Sequence, residues 1–201
     1  MKLLRRMIII LFVVTLLTWL AGILHDKIEL QDNIIRLHVL ANSDSVQDQA
    51  NKIQVKNAVV SYLDSQMQSL QSKEEATAYL LSHIDEIEQI ANQTLNDLGC
   101  CDTAKVSLSR AAFTTRVYDT FSLPAGCYDS LKIQIGQASG QNWWCVVFPA
   151  LCIPKTTQEV SDVAASSGFD DSLTNTLTEK HGYKIRFFIL DWFGQIENLF
   201  S

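Results

Sequence analysis

The residue types best suited to chemistry in this chain are five cysteines and four histidines. They are Cys100, Cys101, Cys127, Cys145 and Cys152, with His25, His38, His83 and His181. No two cysteines have the C-x-x-C spacing of a zinc or redox site, and no histidine lies in an H-E-x-x-H motif. A nucleophile and a base could be built from Cys145 and His38, but a chain with several of both residue types offers such pairs by chance.

Motifs for other kinds of catalysis are missing from the sequence as well. Residues 136–140 read G-Q-A-S-G, which places the serine one residue too late for a G-x-S-x-G nucleophile elbow. The sequence has no Walker loop and no G-x-G-x-x-G motif for a nucleotide. We therefore predict no catalytic residue, no metal ligand, no cofactor and no small-molecule substrate, and we expect that the protein is not an enzyme.

Composition and charge indicate a folded domain that does not bind nucleic acid. The chain has 201 residues, of which 47% are hydrophobic and 19% charged, which is enough apolar material for a core. The formal net charge is -6, and no basic tract is present. Because affinity for nucleic acid depends on neutralising phosphates, we expect no nucleic-acid partner.

The N-terminal segment differs sharply from the rest of the chain. Lys2, Arg5 and Arg6 precede an uncharged apolar stretch over residues 7–24. A positive head followed by such a stretch predicts export, and its length lies between that of a signal peptide and that of a spanning helix. We predict that residues 1–24 are a signal peptide or a membrane anchor, with 7–24 in the membrane, and that 25–201 form a single exported domain.

Export changes the interpretation of the cysteines, because disulfides persist outside the cytoplasm. Cys145 and Cys152 are the candidates for a disulfide, since Pro149 turns the chain between them. Closing so short a loop would stabilise the fold by about 2 kcal/mol in the chain-entropy model. Two buried free thiols are the alternative at this point.

The pattern of apolar residues predicts an α+β fold. Residues 34–41 alternate as a strand, and two capped amphipathic segments follow over 46–70 and 72–98 as a helical hairpin. Further strands are predicted across 105–148, a weak helix from Thr156 and a last long strand over 183–192, while 166–181 has no clear assignment. We predict an N-terminal strand and a helical hairpin packed on a largely antiparallel sheet, with 143–148 as a central strand because it is apolar on both faces.

One group of polar and aromatic residues is a candidate surface for contact with a partner protein. Strand alternation places Arg36 and His38 on one face, which we expect to face outward, with the turn after the strand at its end. The candidates for partner contact are Arg36, His38, Asn42, Asp44, Asn142, Trp143 and Trp144. We predict that His38→Ala removes activity without lowering the melting temperature. The alternative is that Arg36 pairs with Asp44 or another acid and only holds the turn.

Several long stretches of this sequence resemble the stage II sporulation protein R family of endospore-forming bacteria. They are IRLHVLANSDS at 35–45, LPAGCY at 123–128, LKIQIG at 131–136 and GQNWWCVVFPALC at 140–152. Two positions depart from the expected pattern: Cys127 stands where an acidic residue is expected, and Ala150 where a second proline is expected.

The resemblance implies a signalling protein of sporulation. Such a protein is made in the forespore, is exported into the space between the two membranes, and there activates a membrane-embedded aspartic protease of the mother cell. That protease removes the pro-sequence of pro-sigma E. Two other function classes stay open on the residues alone. One is an exported thiol-dependent hydrolase with Cys145 as nucleophile, and the other is a passive structural module of the envelope.

Overall fold

The structure is a computed structural model that describes residues 2–153 and 155–178, and all structural statements below refer to these residues. Six helices and six strands follow one another in the order α1 (Lys2–Asn33), β1 (Ile35–Leu40), α2 (Val46–Ser69), α3 (Lys73–Ser82), α4 (Ile84–Asp97), β2 (Ala104–Phe113), β3 (Arg116–Val117), β4 (Ser122–Leu123), β5 (Gly126–Ile135), β6 (Asn142–Phe148), α5 (Thr157–Ser166) and α6 (Asp171–Thr178). The predicted strand at 183–192 lies outside the described residues.

The N-terminal helix is longer than the predicted export segment. Helix α1 is 32 residues long, and an 18-residue stretch within it has a mean hydropathy of 2.7, which makes the helix a candidate membrane span. The helix continues without a break beyond residue 24, and Lys27, Leu30 and Gln31 in its last turns are buried against the domain. The apolar segment is therefore joined to the domain by rigid helix and not by a flexible linker.

The central sheet has four strands in the order β2-β5-β1-β6. Strand β1 is parallel to β5 and antiparallel to β6, and β2 is antiparallel to β5. The prediction of an α+β fold with a mostly antiparallel sheet is confirmed, and one of the three pairings is parallel. Among the described residues β6 is the outermost strand on its side of the sheet, so the structure does not show the central position predicted for 143–148.

Strand β6 is apolar on both faces because the sheet is covered on both faces. Cys145 and Val147 belong to the core on one side of the sheet, and Val146 belongs to the core on the other. An edge strand between two layers needs the same residue pattern as a central strand, since the pattern reports burial of side chains and not pairing of the backbone.

The first layer is the predicted helical hairpin. Ser45 caps α2 by accepting a hydrogen bond from the backbone N–H of Asp48, and Ser72 caps α3 by accepting one from Glu75. The second predicted helix is divided at His83 into α3 and α4. Both helical arms bury their apolar stripes on the sheet, where they meet the side chains Ile35, Leu37, Val39, Leu131 and Ile133.

A second layer covers the opposite face of the sheet. It consists of the last turns of α1, the β3–β4 pair, and helices α5 and α6. Thr156 opens α5 with a complete capping box, as predicted for the weak helix there. The layer buries a second apolar cluster of Leu30, Ile34, Phe113, Phe121, Leu123, Tyr128, Val146, Leu151, Val160, Ala164, Phe169, Leu173 and Leu177.

Candidate functional site

The candidate residues for partner contact come together along β1 and β6. The antiparallel register pairs His38 with Trp144 and Val39 with Trp143. Strands β1 and β6 are therefore neighbours, which the predicted surface for partner contact required. The two adjacent tryptophans lie on opposite faces of the sheet. We call Arg36 and His38 the buried polar cluster, and we call residues 142–144 the β6 edge.

Arg36 lies entirely inside the protein, with 0% of its surface exposed. Its guanidinium carbon is 4.1 Å from the ring centroid of Phe113 and 5.4 Å from that of Tyr128. Its Nη2 donates a hydrogen bond of 3.2 Å to the hydroxyl of Tyr118. Among the described residues no carboxylate pairs with it, and its Nε and Nη1 atoms have no hydrogen-bond partner. Burial lowers the pKa of Arg36, but an arginine stays charged, so the aromatic faces supply most of the compensation.

His38 packs beside this guanidinium on the same strand. Its ring is stacked on Trp144 with centroids 3.5 Å apart. Nε2 donates a hydrogen bond of 3.1 Å to the Oδ1 atom of Asn142, which selects the Nε2–H tautomer. Burial is the main cause that lowers the pKa of His38 to about 4, against a weaker opposing effect of the bond to Asn142. The imidazole is thus neutral at physiological pH and acts as an aromatic packing group.

These observations correct the expected position of two candidates. Arg36 and His38 do share a face of β1, as predicted, but that face does not point outward. Arg36 is fully buried and His38 is 9% exposed, because the second layer covers them. The prediction failed because strand alternation shows which residues share a face and does not show how many layers the fold has.

The turn after β1 is held by its own polar side chains. The Oδ1 atom of Asn42 accepts a hydrogen bond of 2.9 Å from the backbone N–H of Gln137, and its Nδ2 donates to Asp48. Asp44 accepts a bond of 2.6 Å from the backbone N–H of Gln141. Asp44 therefore clamps the loop that precedes β6, and the alternative in which Asp44 pairs with Arg36 is wrong.

Two further groups complete this clamp. Lys52 donates hydrogen bonds to the backbone oxygen of Gln141 and to the side chain of Gln49. At Gly140 the two segments approach so closely that a Cβ atom would collide with the backbone carbonyl of Ser43. Residues 41–45 and 136–141 thus form one rigid unit at the end of β1 and β6.

Only some of the candidate residues are accessible to a partner protein. Asp44, Asn142 and Trp143 are exposed, whereas Asn42 and Trp144 are half-buried. Trp143 is 37% exposed and carries the ammonium of Lys56 at 4.9 Å from its ring centroid. Of the seven candidates, Asp44, Asn142 and Trp143 are therefore the ones that could touch another molecule directly.

Cys145 and Cys152 are joined by a disulfide. Cys100, Cys101 and Cys127 are free thiols. A disulfide sulfur is not a nucleophilic thiolate, and Cys145 lies on the opposite face of the sheet from His38, because it pairs with Leu37. The structure therefore brings no Cys145–His38 couple together. Within the residues it describes, no group of three or more metal-ligating side chains forms a candidate metal site.

Sequence reasoning missed the aromatic residues that surround the buried polar cluster. Phe113 comes from the end of β2, Tyr118 from the β3–β4 region and Tyr128 from β5. They contact Arg36 or Trp144 across separations of tens of residues in the chain. No local pattern marks them, since an aromatic residue in a strand is typical of any core.

Comparison with known proteins identifies relatives over most of the chain. Residues 31–158 match the family model described as stage II sporulation protein R. The chain is 31% identical over 195 residues to the stage II sporulation protein R of Bacillus subtilis strain 168, covering 88% of this chain and 86% of the relative. No solved structure matches the chain. The chain therefore belongs to the stage II sporulation protein R family and has a role in sporulation.

Proposed function

We propose that this protein is a signal exported from the forespore that activates a membrane-embedded aspartic protease of the mother cell, which then processes pro-sigma E. The observation that carries the proposal is the match to the stage II sporulation protein R of Bacillus subtilis, which covers 88% of the chain. The protein acts through contact with the protease and not through catalysis of its own.

The arrangement of the chain supports this proposal. An apolar helix that could span a membrane stands before a folded domain, as a protein with an extracytoplasmic task requires. From residue 25 onward the chain carries 13 Lys+Arg and 22 Asp+Glu, a formal charge of -9. The intermembrane space between forespore and mother cell is the location that we propose, with or without retention of 7–24 as an anchor.

The partner contact that we propose has an exposed and a supporting part. Asp44, Asn142 and Trp143 are accessible and lie on rigid backbone, so that little ordering entropy is lost on binding. Arg36, His38, Asn42 and Trp144 are the supporting part. Their contacts inside the protein position the ends of β1 and β6. Their substitution would act on signalling only through the geometry of the exposed residues.

A leader replacement in sporulating cells tests the proposed export. The whole leader, residues 1–24, is replaced by a start methionine directly before His25. Lys27, Leu30 and Gln31 are kept because they are buried against the domain. We expect a folded protein that no longer triggers cleavage of pro-sigma E, measured by immunoblot. A matched control carries an unrelated cleavable signal peptide before His25 and should restore cleavage. Cleavage by the leaderless form, made in the forespore, would contradict the proposal.

A reconstituted assay tests direct activation. The full-length chain is added to proteoliposomes that contain the protease and pro-sigma E, and cleavage is followed over time. We expect cleavage to depend on the added chain and to saturate with its concentration. A protease that is equally active with and without the chain would favour a passive structural role in the envelope.

A further inference from the structure

A groove of about 420 Å³ runs beside the outer edge of β6. One wall is the segment around Tyr118 and Phe121, and the other is the segment around Cys152 and Ile153, with Trp143 and Trp144 between them. The disulfide between Cys145 and Cys152 ties the second wall to the strand. The disulfide therefore holds this wall of the groove against β6.

The backbone of β6 is partly open toward this groove. The carbonyl of Val146 points away from β1 and accepts a hydrogen bond from the backbone N–H of Leu151. The carbonyl of Trp144 points the same way, where the hydroxyl of Tyr118 donates to it at 3.5 Å, the limit of a hydrogen bond. Since backbone groups alternate between the two edges of a strand, Asn142 and Trp144 present N–H and C=O groups to the groove. Among the described residues this edge is closed at Val146, whereas no backbone group pairs with Asn142 or Trp144 on this side and only the hydroxyl of Tyr118 reaches the carbonyl of Trp144.

Exposed apolar side chains of the domain gather at this groove. In the described chain after α1, six large hydrophobic residues are exposed: Val46, Leu81, Leu98, Val117, Trp143 and Ile153. Three of these six line the groove, with exposures of 79% for Val117, 37% for Trp143 and 40% for Ile153. Clustering of exposed apolar surface at an open strand edge is typical of an interaction site.

Positive charge surrounds the same two tryptophans. Lys56 lies over Trp143, the guanidinium carbon of Arg116 is 5.9 Å from the ring centroid of Trp144, and Lys155 lines the groove. Neither Lys56 nor Arg116 forms an ion pair with any described residue. One carboxylate, Asp119, lines the groove in the described part of the chain. In a domain with a strongly negative net charge, this local excess of cations favours an acidic ligand.

We propose that the β6 groove binds an extended, acidic segment of the protein that the chain activates, as an added strand paired with Asn142–Trp144. The inference rests on the proposed function and names the binding mode of its partner. Main-chain hydrogen bonds to the strand edge would supply the pairing, Val117, Trp143 and Ile153 would cover apolar side chains, and Lys56 and Arg116 would pair with carboxylates.

Site-specific photo-cross-linking of the full chain tests where the partner binds. A photoreactive phenylalanine derivative replaces Val117 or Ile153, and in the control it replaces Leu98, which is 42% exposed and lies outside the groove. In sporulating cells we expect a cross-linked species with the protease from the two groove positions and none from Leu98. A cross-link from Ile153 to residues 179–201 of the same chain would overturn the proposal, as would equal cross-linking from Leu98 or no cross-link from the groove.

Charge reversal tests the acidic character of the partner segment. We expect Lys56→Glu with Arg116→Glu to raise the concentration for half-maximal activation about 10-fold. Lys56→Gln with Arg116→Gln should have a smaller effect in the same direction. Because this pair removes the positive charges without adding negative ones, it still tests the proposal if the charge-reversed variant does not fold. Arg110→Glu, on the opposite edge strand β2, is the control and should change activation less than twofold. An unchanged response to both double variants would overturn the acidic assignment.

The outcomes separate this inference from the proposed function. If wild-type chain triggers cleavage of pro-sigma E but the groove variants neither cross-link nor respond, the groove assignment fails and the function stands. If wild-type chain does not trigger cleavage, the function and the groove assignment fall together.

Discussion

The two faces of strand β1 differ in chemistry but not in exposure. One face carries Leu37 and Val39, which pack in the core beneath helices α2–α4. The other carries Arg36 and His38, which are also buried, beneath the second layer. The comparison teaches that polar residues on a strand do not mark a solvent-facing side, since a second layer can enclose them if aromatic rings and hydrogen bonds compensate.

The same comparison separates support from contact. The buried polar cluster orients Trp144 and Asn142 through the stacked ring of His38 and its bond to Asn142. The groups that reach the surface lie at the β6 edge and not on the face of β1. We therefore expect substitutions on either face of β1 to change the free energy of unfolding. Substitutions at the β6 edge should change partner binding instead.

The largest effect should come from the apolar face. Leu37→Ala removes a fully buried side chain and leaves a cavity between the sheet and α2, so we expect the free energy of unfolding to fall by about 3 kcal/mol. Urea denaturation measures this loss. Val46→Ala is the control, because Val46 is 89% exposed and its truncation should have little effect. A loss below 1 kcal/mol for Leu37→Ala would mean that this face is not tightly packed.

The second effect is a pH dependence that belongs to the polar face alone. The pKa of His38 is lowered from its ordinary value of 6.5 to about 4 in the folded chain. Between these two pH values the histidine is therefore protonated in the unfolded chain but not in the folded chain. Stability is therefore retained above pH 6.5 and lost between pH 6.5 and 4, by about 3 kcal/mol for this one group. His38→Gln should remove this part of the acid sensitivity, measured as the difference between the two proteins in urea titrations at pH 7 and 4.5. Parallel curves for both proteins would show that His38 is protonated normally in the fold.

This result also bears on the expected behaviour of His38→Ala. A buried ring stacked on Trp144 cannot be removed without loss of packing. We now expect His38→Ala to lower the melting temperature and the activity together, contrary to the expectation from the sequence.

The third effect concerns the clamp at the end of β1. Asn42→Ala leaves the backbone N–H of Gln137 without its partner and removes one of two hydrogen bonds to the Oδ2 atom of Asp48, which keeps the bond from Ser43. The loss should cost about 1.5 kcal/mol. Proteolysis within residues 136–141 should become faster, as followed by mass spectrometry. Gln54→Ala, at an exposed position of α2, serves as the matched control. If the loop stays equally resistant in both variants, the clamp is not what holds it.

The smallest effect should come from the buried cation. Arg36→Met removes a charge that no described carboxylate pairs with and keeps much of the side-chain volume, so we expect a change within about 1 kcal/mol in either direction. The measurement is again urea denaturation, beside Leu37→Ala. A loss as large as that of Leu37→Ala would show that the contacts of the guanidinium with the aromatic rings and with Tyr118 more than offset the cost of burying its charge.

Local sequence patterns were sufficient for most elements of the fold. The stripe of apolar residues and the caps at Ser45 and Ser72 predicted the helical hairpin, and the alternation at 34–41 predicted β1. The Thr156–Glu159 pair predicted α5. These signals are local, since caps and periodicity depend on residues three or four positions apart.

Two features of the candidate site depended on contacts between distant segments. Strand β6 was taken as central because it is apolar on both faces, yet among the described residues it is the outermost strand on its side of the sheet. Arg36 was expected to be exposed, yet it is fully buried among the rings of Phe113 and Tyr128 and the hydroxyl of Tyr118, which come from three separate segments. Neither the number of layers nor the order of strands can be read from alternation, which reports only the side of a strand on which a residue lies.

The sequence by itself determined the apolar N-terminal segment, most of the helices and strands, and the family, because all three depend on neighbouring residues. Only the tertiary structure decided which polar residues are enclosed and which remain accessible. The physical reason is that enclosure depends on the packing of segments far apart in the chain: Trp143 stays accessible at the edge strand, while Trp144, one residue later, is stacked on His38 under the second layer.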